Sequence, residues 1–205
     1  MNLISNALYW ISTGLLVPVV VLLIFFFIRA LILIGAFFSQ YMQQRRVVSG
    51  LLDRVAALTP ASLPEFASTL PAHPDSLAGV YVRRLIEARG NEARIDLLLS
   101  DYELESDKHI STSRILTKMG PILGLMGTLI PMGPALVGLA TGDITSMAYN
   151  MQVAFATTVV GLVVSAIGFL TQQVRERWAV RTLSVLEYLA DLVRPADVES
   201  EMQQS

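Results

Sequence analysis

The sequence predicts an all-α integral membrane protein with three transmembrane helices and long cytoplasmic helical extensions. Three observations carry this expectation. From Ala7 to Phe38 the chain is almost wholly apolar with Arg29 as its single charge, and the apolar stretch from Met119 to Val174 carries one charge, Asp143. About 20 such residues, rising about 1.5 Å each, cross the hydrocarbon of a bilayer. Only 16% of the 205 residues are charged and the mean hydropathy is +0.56, whereas about a quarter of a soluble chain is charged.

Residues 7–38 form the first span. No Lys or Arg precedes this apolar run, and it outlasts the core of a signal peptide, so a membrane anchor is the better reading. Residues 39–118 read as a cytoplasmic helical segment rather than a conventional domain. Within it, 42–58 and 76–118 show helical spacing of apolar residues, while Thr59-Pro60, Pro64, Pro71 and Pro74 interrupt the pattern between them. No proline separates Asn91 from Lys118, so this stretch is expected to run on into the second span as one helix. Residues 119–174 form a hairpin, with spans near 120–139 and 147–172 and a turn at Gly138–Asp143. Asp143 suits the cap of the helix that follows. In residues 175–205, Trp178, Leu183, Leu186, Leu189 and Leu192 give an amphipathic extension of the third span, and the polar tail after Pro195 has the composition of a disordered end.

Basic residues set the orientation. Arg45 and Arg46 follow the first span, Arg114 and Lys118 precede the second, and Arg175, Arg177 and Arg181 follow the third, while the hairpin turn carries no Lys or Arg. The positive-inside rule places the N-terminus and the turn outside, and the segment 40–118 and the C-terminus in the cytoplasm.

Composition also narrows the chemistry. A net charge of -2 offers no basic excess for nucleic acid. There is no cysteine, and His73 and His109 are too few for a histidine-built metal site. No cofactor is implied, and with no nucleophile–base pair or acidic metal cluster in the spans an enzyme ranks last.

The hairpin is distinguished by what its helices present. In the third span Asn150, Ala154, Thr158, Gly161, Ser165, Gly168 and Gln172 recur at spacings of three and four. The second offers Thr117, Gly120, Gly124, Gly127, Thr128, Pro131, Pro134 and Gly138. Such faces either pack closely through small residues or line a hydrated path. Each proline releases the carbonyl four residues back, so Pro121, Pro131 and Pro134 free Thr117, Gly127 and Ile130, and in lipid these need new partners from neighbouring helices, hydroxyls or water. Thr128 and Thr158 both fall near the membrane midplane. Threonine does not titrate, so any proton relay here takes its acid from another polypeptide. Arg29 either snorkels to the interface and its lipids or pairs with a partner's acid.

The stretch Gly120-Pro-Ile-Leu-Gly-Leu-Met-Gly-Thr128 resembles the second-span motif Pro-x-x-Gly-Leu-x-Gly-Thr of the MotA/TolQ/ExbB family. It matches at Pro121, Gly124, Leu125, Gly127 and Thr128. Ala156-Thr-Thr-Val-Val-Gly-Leu162 resembles the third-span motif Ala-Thr-x-x-Gly-Leu, with Thr158 in the threonine position and Thr157 where alanine is usual. Two departures mark a divergent subgroup: Val153 stands where a glutamate is frequent, and Ile130-Pro131 replaces Trp-Gly.

The resemblance implies a proton-channel subunit of an energy-transducing complex in the inner (cytoplasmic) membrane of a bacterium or archaeon. It implies a homo-oligomer, a pentameric ring, enclosing single-span helices of a protein similar to ExbD, TolR or MotB whose aspartate accepts the proton. Thr128 and Thr158 then face those helices. The full proton-path or partner-facing set comprises Thr128, Thr158, Thr157, Gly124, Gly127, Pro121, Gly161, Ser165 and Asn150. The alternative is a non-conducting membrane scaffold that uses the same faces for assembly.

Overall fold

A computed structural model describes residues 7, 10, 11, 13–44, 48–59, 62–70 and 76–194. His73, Arg45, Arg46, Pro60, Pro71, Pro74 and the tail from Pro195 lie outside the described residues. Among the described residues six helices are bounded, in order α1 Leu16–Gln43, α2 Ser49–Ala56, α3 Leu63–Thr69, α4 Leu77–Glu87, α5 Glu92–Thr141 and α6 Ile144–Val193. No strand occurs among the described residues. Among the described residues three helices, α1, α5 and α6, are long and apolar enough to cross a membrane.

Helices α5 and α6 are each 50 residues long, so the second and third spans do continue beyond the bilayer without a break. The join between them is two residues. Gly142 adopts φ 77°, which only glycine reaches without strain, and lets its N–H reach the Leu139 carbonyl while Asp143 N–H reaches that of Gly138. The Asp143 carboxylate then accepts from Ser146 N–H at 3.0 Å, capping α6 as expected.

The chain divides into two compact units. One comprises α1 up to Phe37 with Ser111–Gln173 of the hairpin, and the other Phe38–Ile110 with α6 from Val174 onward. In the first, Leu23, Ala30, Leu116, Leu123 and Val164 are buried where the three spans meet.

The second unit has a buried core of its own. Helices α2, α3 and α4 bury Val55, Leu63, Phe66, Val82 and Leu85 against Ile95 and Tyr102 of α5 and Leu186, Leu189 and Val193 of α6. Short amphipathic helices cannot stand alone in water, and burying a side chain such as Leu85 is worth about 1.5–3 kcal/mol. Helix α3 forms inside the stretch that prolines were expected to interrupt. Pro64 lies in its first turn, where its missing N–H would have had no partner anyway. Conversely, the pattern over 76–118 is split at Gly90, whose φ of 83° ends α4 and whose N–H meets the Val193 carbonyl. Ser76 caps α4 and Asn91 caps α5.

Tyr81 ties α4 to α5. Its ring packs edge-on to Tyr102 and its hydroxyl donates to Asp101 at 2.7 Å. Burial, reinforced by the bond to Asp101, pushes its phenol up to about 12 from the ordinary 10.0. The raised value means that the fold favours the neutral phenol. Its stabilisation is therefore complete below pH 10 and is lost as pH rises through 12. Tyr81→Phe is expected to cost about 0.5–1.5 kcal/mol at neutral pH and to flatten the alkaline decline. Thermal unfolding of the full chain in mild detergent across this pH range checks both.

Candidate functional site

The site builds from the seam between α5 and α6. On α6 the buried row is Ala154, Thr157, Gly161, Val164, Gly168 and Thr171, at alternating spacings of three and four. On α5 Ser113, Gly120, Gly124, Gly127, Pro131 and Gly138 answer it. This alternation is the seam of two helices wound left-handed about each other, and small residues there let the backbones touch. A Cβ on Gly120 would lie 2.6 Å from the Gly161 carbonyl oxygen, and one on Gly168 2.6 Å from Thr117 N. Glycine is required at both by proximity alone.

The released Thr117 carbonyl finds its partner within the chain: Ser165 Oγ donates to it at 2.9 Å. Here a neighbouring helix, rather than water, meets the demand that Pro121 creates. One turn further along, Thr171 Oγ1 donates to Ser113 Oγ at 3.2 Å, with both residues buried. The sequence reading missed this pair. The repeat of seven that joins Ser113 to Gly120 and Gly127, and Thr171 to Val164 and Thr157, is the signal that could have found it.

The candidate residues thus separate by environment. Gly124, Gly127, Thr157 and Gly161 are buried together in the seam, where Thr157 leaves no room for a side chain at Gly127. Thr157 Oγ1 donates to the Val153 and Ala154 carbonyls of its own helix. Ser165 borders the seam, Pro121 is exposed on α5, and Asn150 near the turn donates to the Ser146 carbonyl at 2.8 Å. Thr128 and Thr158 are half-buried. Their hydroxyls donate to the Leu125 carbonyl at 2.7 Å and the Ala154 carbonyl at 3.0 Å. Helix α5 ends at Thr141 and α6 begins at Ile144. The two threonines therefore lie at matching depths, about 20 Å from the turn along their helices.

Between Met119 and Val174 the only carboxylate is that of Asp143, at the turn, and there is no imidazole. Among the described residues no three His, Asp or Glu side chains gather as a metal ion would need. The arrangement can offer hydroxyls and close-packed backbone, and it can bind or orient water, but it has no group of its own that takes up a proton.

The chain is similar to the biopolymer transport protein exbB1 of Vibrio cholerae serotype O1, with 34% identity over 99 residues covering 44% of this chain and 43% of that protein. It therefore spans less than half the length of that relative. No solved structure matches it. Residues 77–187, from α4 through both helices of the hairpin, match a family description that covers more than half of the sequence, and the chain belongs to the MotA/TolQ/ExbB proton channel family.

Proposed function

We propose that the chain is the channel-forming subunit of an energy-transducing complex in a bacterial or archaeal inner membrane, with its hairpin turn outside and its C-terminus in the cytoplasm. It assembles as a homo-oligomer, a pentamer in the fullest form of this reading, around the single-span helices of an ExbD-, TolR- or MotB-like protein. The partner's carboxylate takes up and releases the proton, and the work is done on the partner. The chain itself catalyses no covalent reaction.

One observation carries the reading. Most of the small-residue stripe is consumed by packing within the chain, yet Thr128 and Thr158 stay half-buried at one depth. A hydroxyl has one proton to donate and two lone pairs to accept with. Each of these donates to its own helix, which leaves its lone pairs for a donor such as water or a protonated carboxyl. Deprotonation of that carboxyl would let the hydroxyl rotate and donate instead. A pair of such groups can hold a water chain and serve both states of a visiting acid without being charged in a medium where charge is costly.

The test is proton uptake into vesicles under an imposed potential. Vesicles holding the chain with a single-span protein bearing an intramembrane aspartate are expected to take up protons, and vesicles holding the chain alone are not. Equal uptake in both would refute the division of labour. The scaffold reading has its own support in the seam, since Gly120, Gly124, Gly127 and Gly161 are fully used in assembling the hairpin. It gains if neither preparation conducts.

A further inference from the structure

Arg29 is the one charge in α1, and its side chain is exposed. No hydrogen bond or ion pair from a described residue holds its guanidinium. It lines a cleft of about 330 Å³ with Phe25, Ile28, Ile32, Leu33, Ala36 and Thr112. The walls are apolar apart from Thr112, so the cleft combines a single cation with a hydrocarbon-like surface. Arg29, Arg114 and Lys118 are basic, and Asp143 at the turn is the only acid in Leu16–Phe37 and Ser111–Gln173.

Depth identifies the surroundings. Thr112 precedes Thr141 by 29 residues of one helix, or about 44 Å at about 1.5 Å per residue. A bilayer with its headgroups is about 40–45 Å thick. If the turn marks one surface, the Thr112 level is the headgroup layer of the other.

We infer that this cleft binds an anionic phospholipid of the leaflet opposite the hairpin turn, its phosphate on the Arg29 guanidinium and an acyl chain along Phe25, Ile28 and Ile32. Charge complementarity and the apolar walls select an amphiphile. A free anion would gain nothing from the walls, and an uncharged lipid would gain nothing from the guanidinium. Arginine suits the role because its planar fork donates two hydrogen bonds at once to a phosphate. The inference needs only that the chain spans a membrane and is independent of proton conduction.

Native mass spectrometry of the full chain in mild detergent tests it, with titration of dioleoylphosphatidylglycerol and, separately, of dioleoylglycerol, which lacks the phosphate. The unmodified chain is expected to retain the phospholipid about tenfold more strongly than the uncharged lipid. Arg29→Gln should abolish that preference and Arg29→Lys should restore part of it. Ala36→Phe should weaken retention with the charge intact, Lys118→Gln should leave it unchanged, and excess inorganic phosphate should not displace the lipid. An unchanged oligomer mass in each variant shows that assembly is intact. Equal retention by Arg29→Gln, displacement by inorganic phosphate, or no preference in the unmodified chain would overturn the inference.

Discussion

Gly161→Ala is expected to destabilise the protein by about 1–3 kcal/mol, and Gly161→Val by more, because both overfill a seam with no slack. A Cβ at this position would lie 2.6 Å from the Gly120 carbonyl oxygen and 2.9 Å from Gly124 Cα. Both obstacles are backbone, so no rotamer change relieves them. The helices must separate, and separation also threatens the hydrogen bond from Ser165 to the Thr117 carbonyl, leaving an oxygen bare in an apolar medium. Gly35→Ala is the matched control, since nothing lies within 4 Å of the added methyl and alanine is the better helix former. Thermal unfolding in mild detergent should therefore show a clear loss for Gly161→Ala and none for Gly35→Ala. Equal melting of the two variants would mean that the backbones of α5 and α6 do not touch. The motif glycine at 161 then has a structural reason: it lets the channel-family hairpin close.

The spans, the hairpin and the long extensions were legible because each depends on a simple property of consecutive residues. Apolar length marks the spans, the absence of a breaker from Asn91 to Lys118 and from Arg175 to Val193 marks the extensions, and Gly142-Asp143 marks the turn. The small helical unit was not legible. Its core joins α2–α4 to residues as far away as Leu186 and Val193, and such long-range burial leaves no local pattern. Pro64 misled because a proline stops a helix in its interior but starts one in its first turn. Gly90 was overlooked because a glycine inside a helical pattern is compatible with continuation until its φ is known. In the hairpin the sequence found both small-residue faces but could not divide them into seam and remainder. Thr157 and Thr158 are adjacent, and about 100° of helix rotation separates a side chain sealed between helices from one at the edge of the seam.

That rotation decides the mechanism's most direct test. Thr128→Val and Thr158→Val are each expected to lower partner-dependent proton uptake about 2- to 30-fold, the range that follows if each lost hydrogen bond costs about 0.5–2 kcal/mol in the conducting state. Valine keeps nearly the shape of threonine but can neither accept from water nor donate to a carboxylate. Both hydroxyls now donate within their own helices, to Leu125 and Ala154. Those carbonyls also sit in the helix ladder, so losing the side-chain bond should cost little in folding. Oligomer mass and expression should be unchanged. Thr157→Val is the discriminating control: its hydroxyl is buried and bonded to Val153 and Ala154, out of reach of a partner helix. Its effect should appear in stability rather than in uptake. If the Thr128→Val, Thr158→Val double variant conducts at the full rate with its partner, the hydroxyls only pack. The proton would then need some other route, and the scaffold reading would become the better account of why the hairpin is lined with small residues.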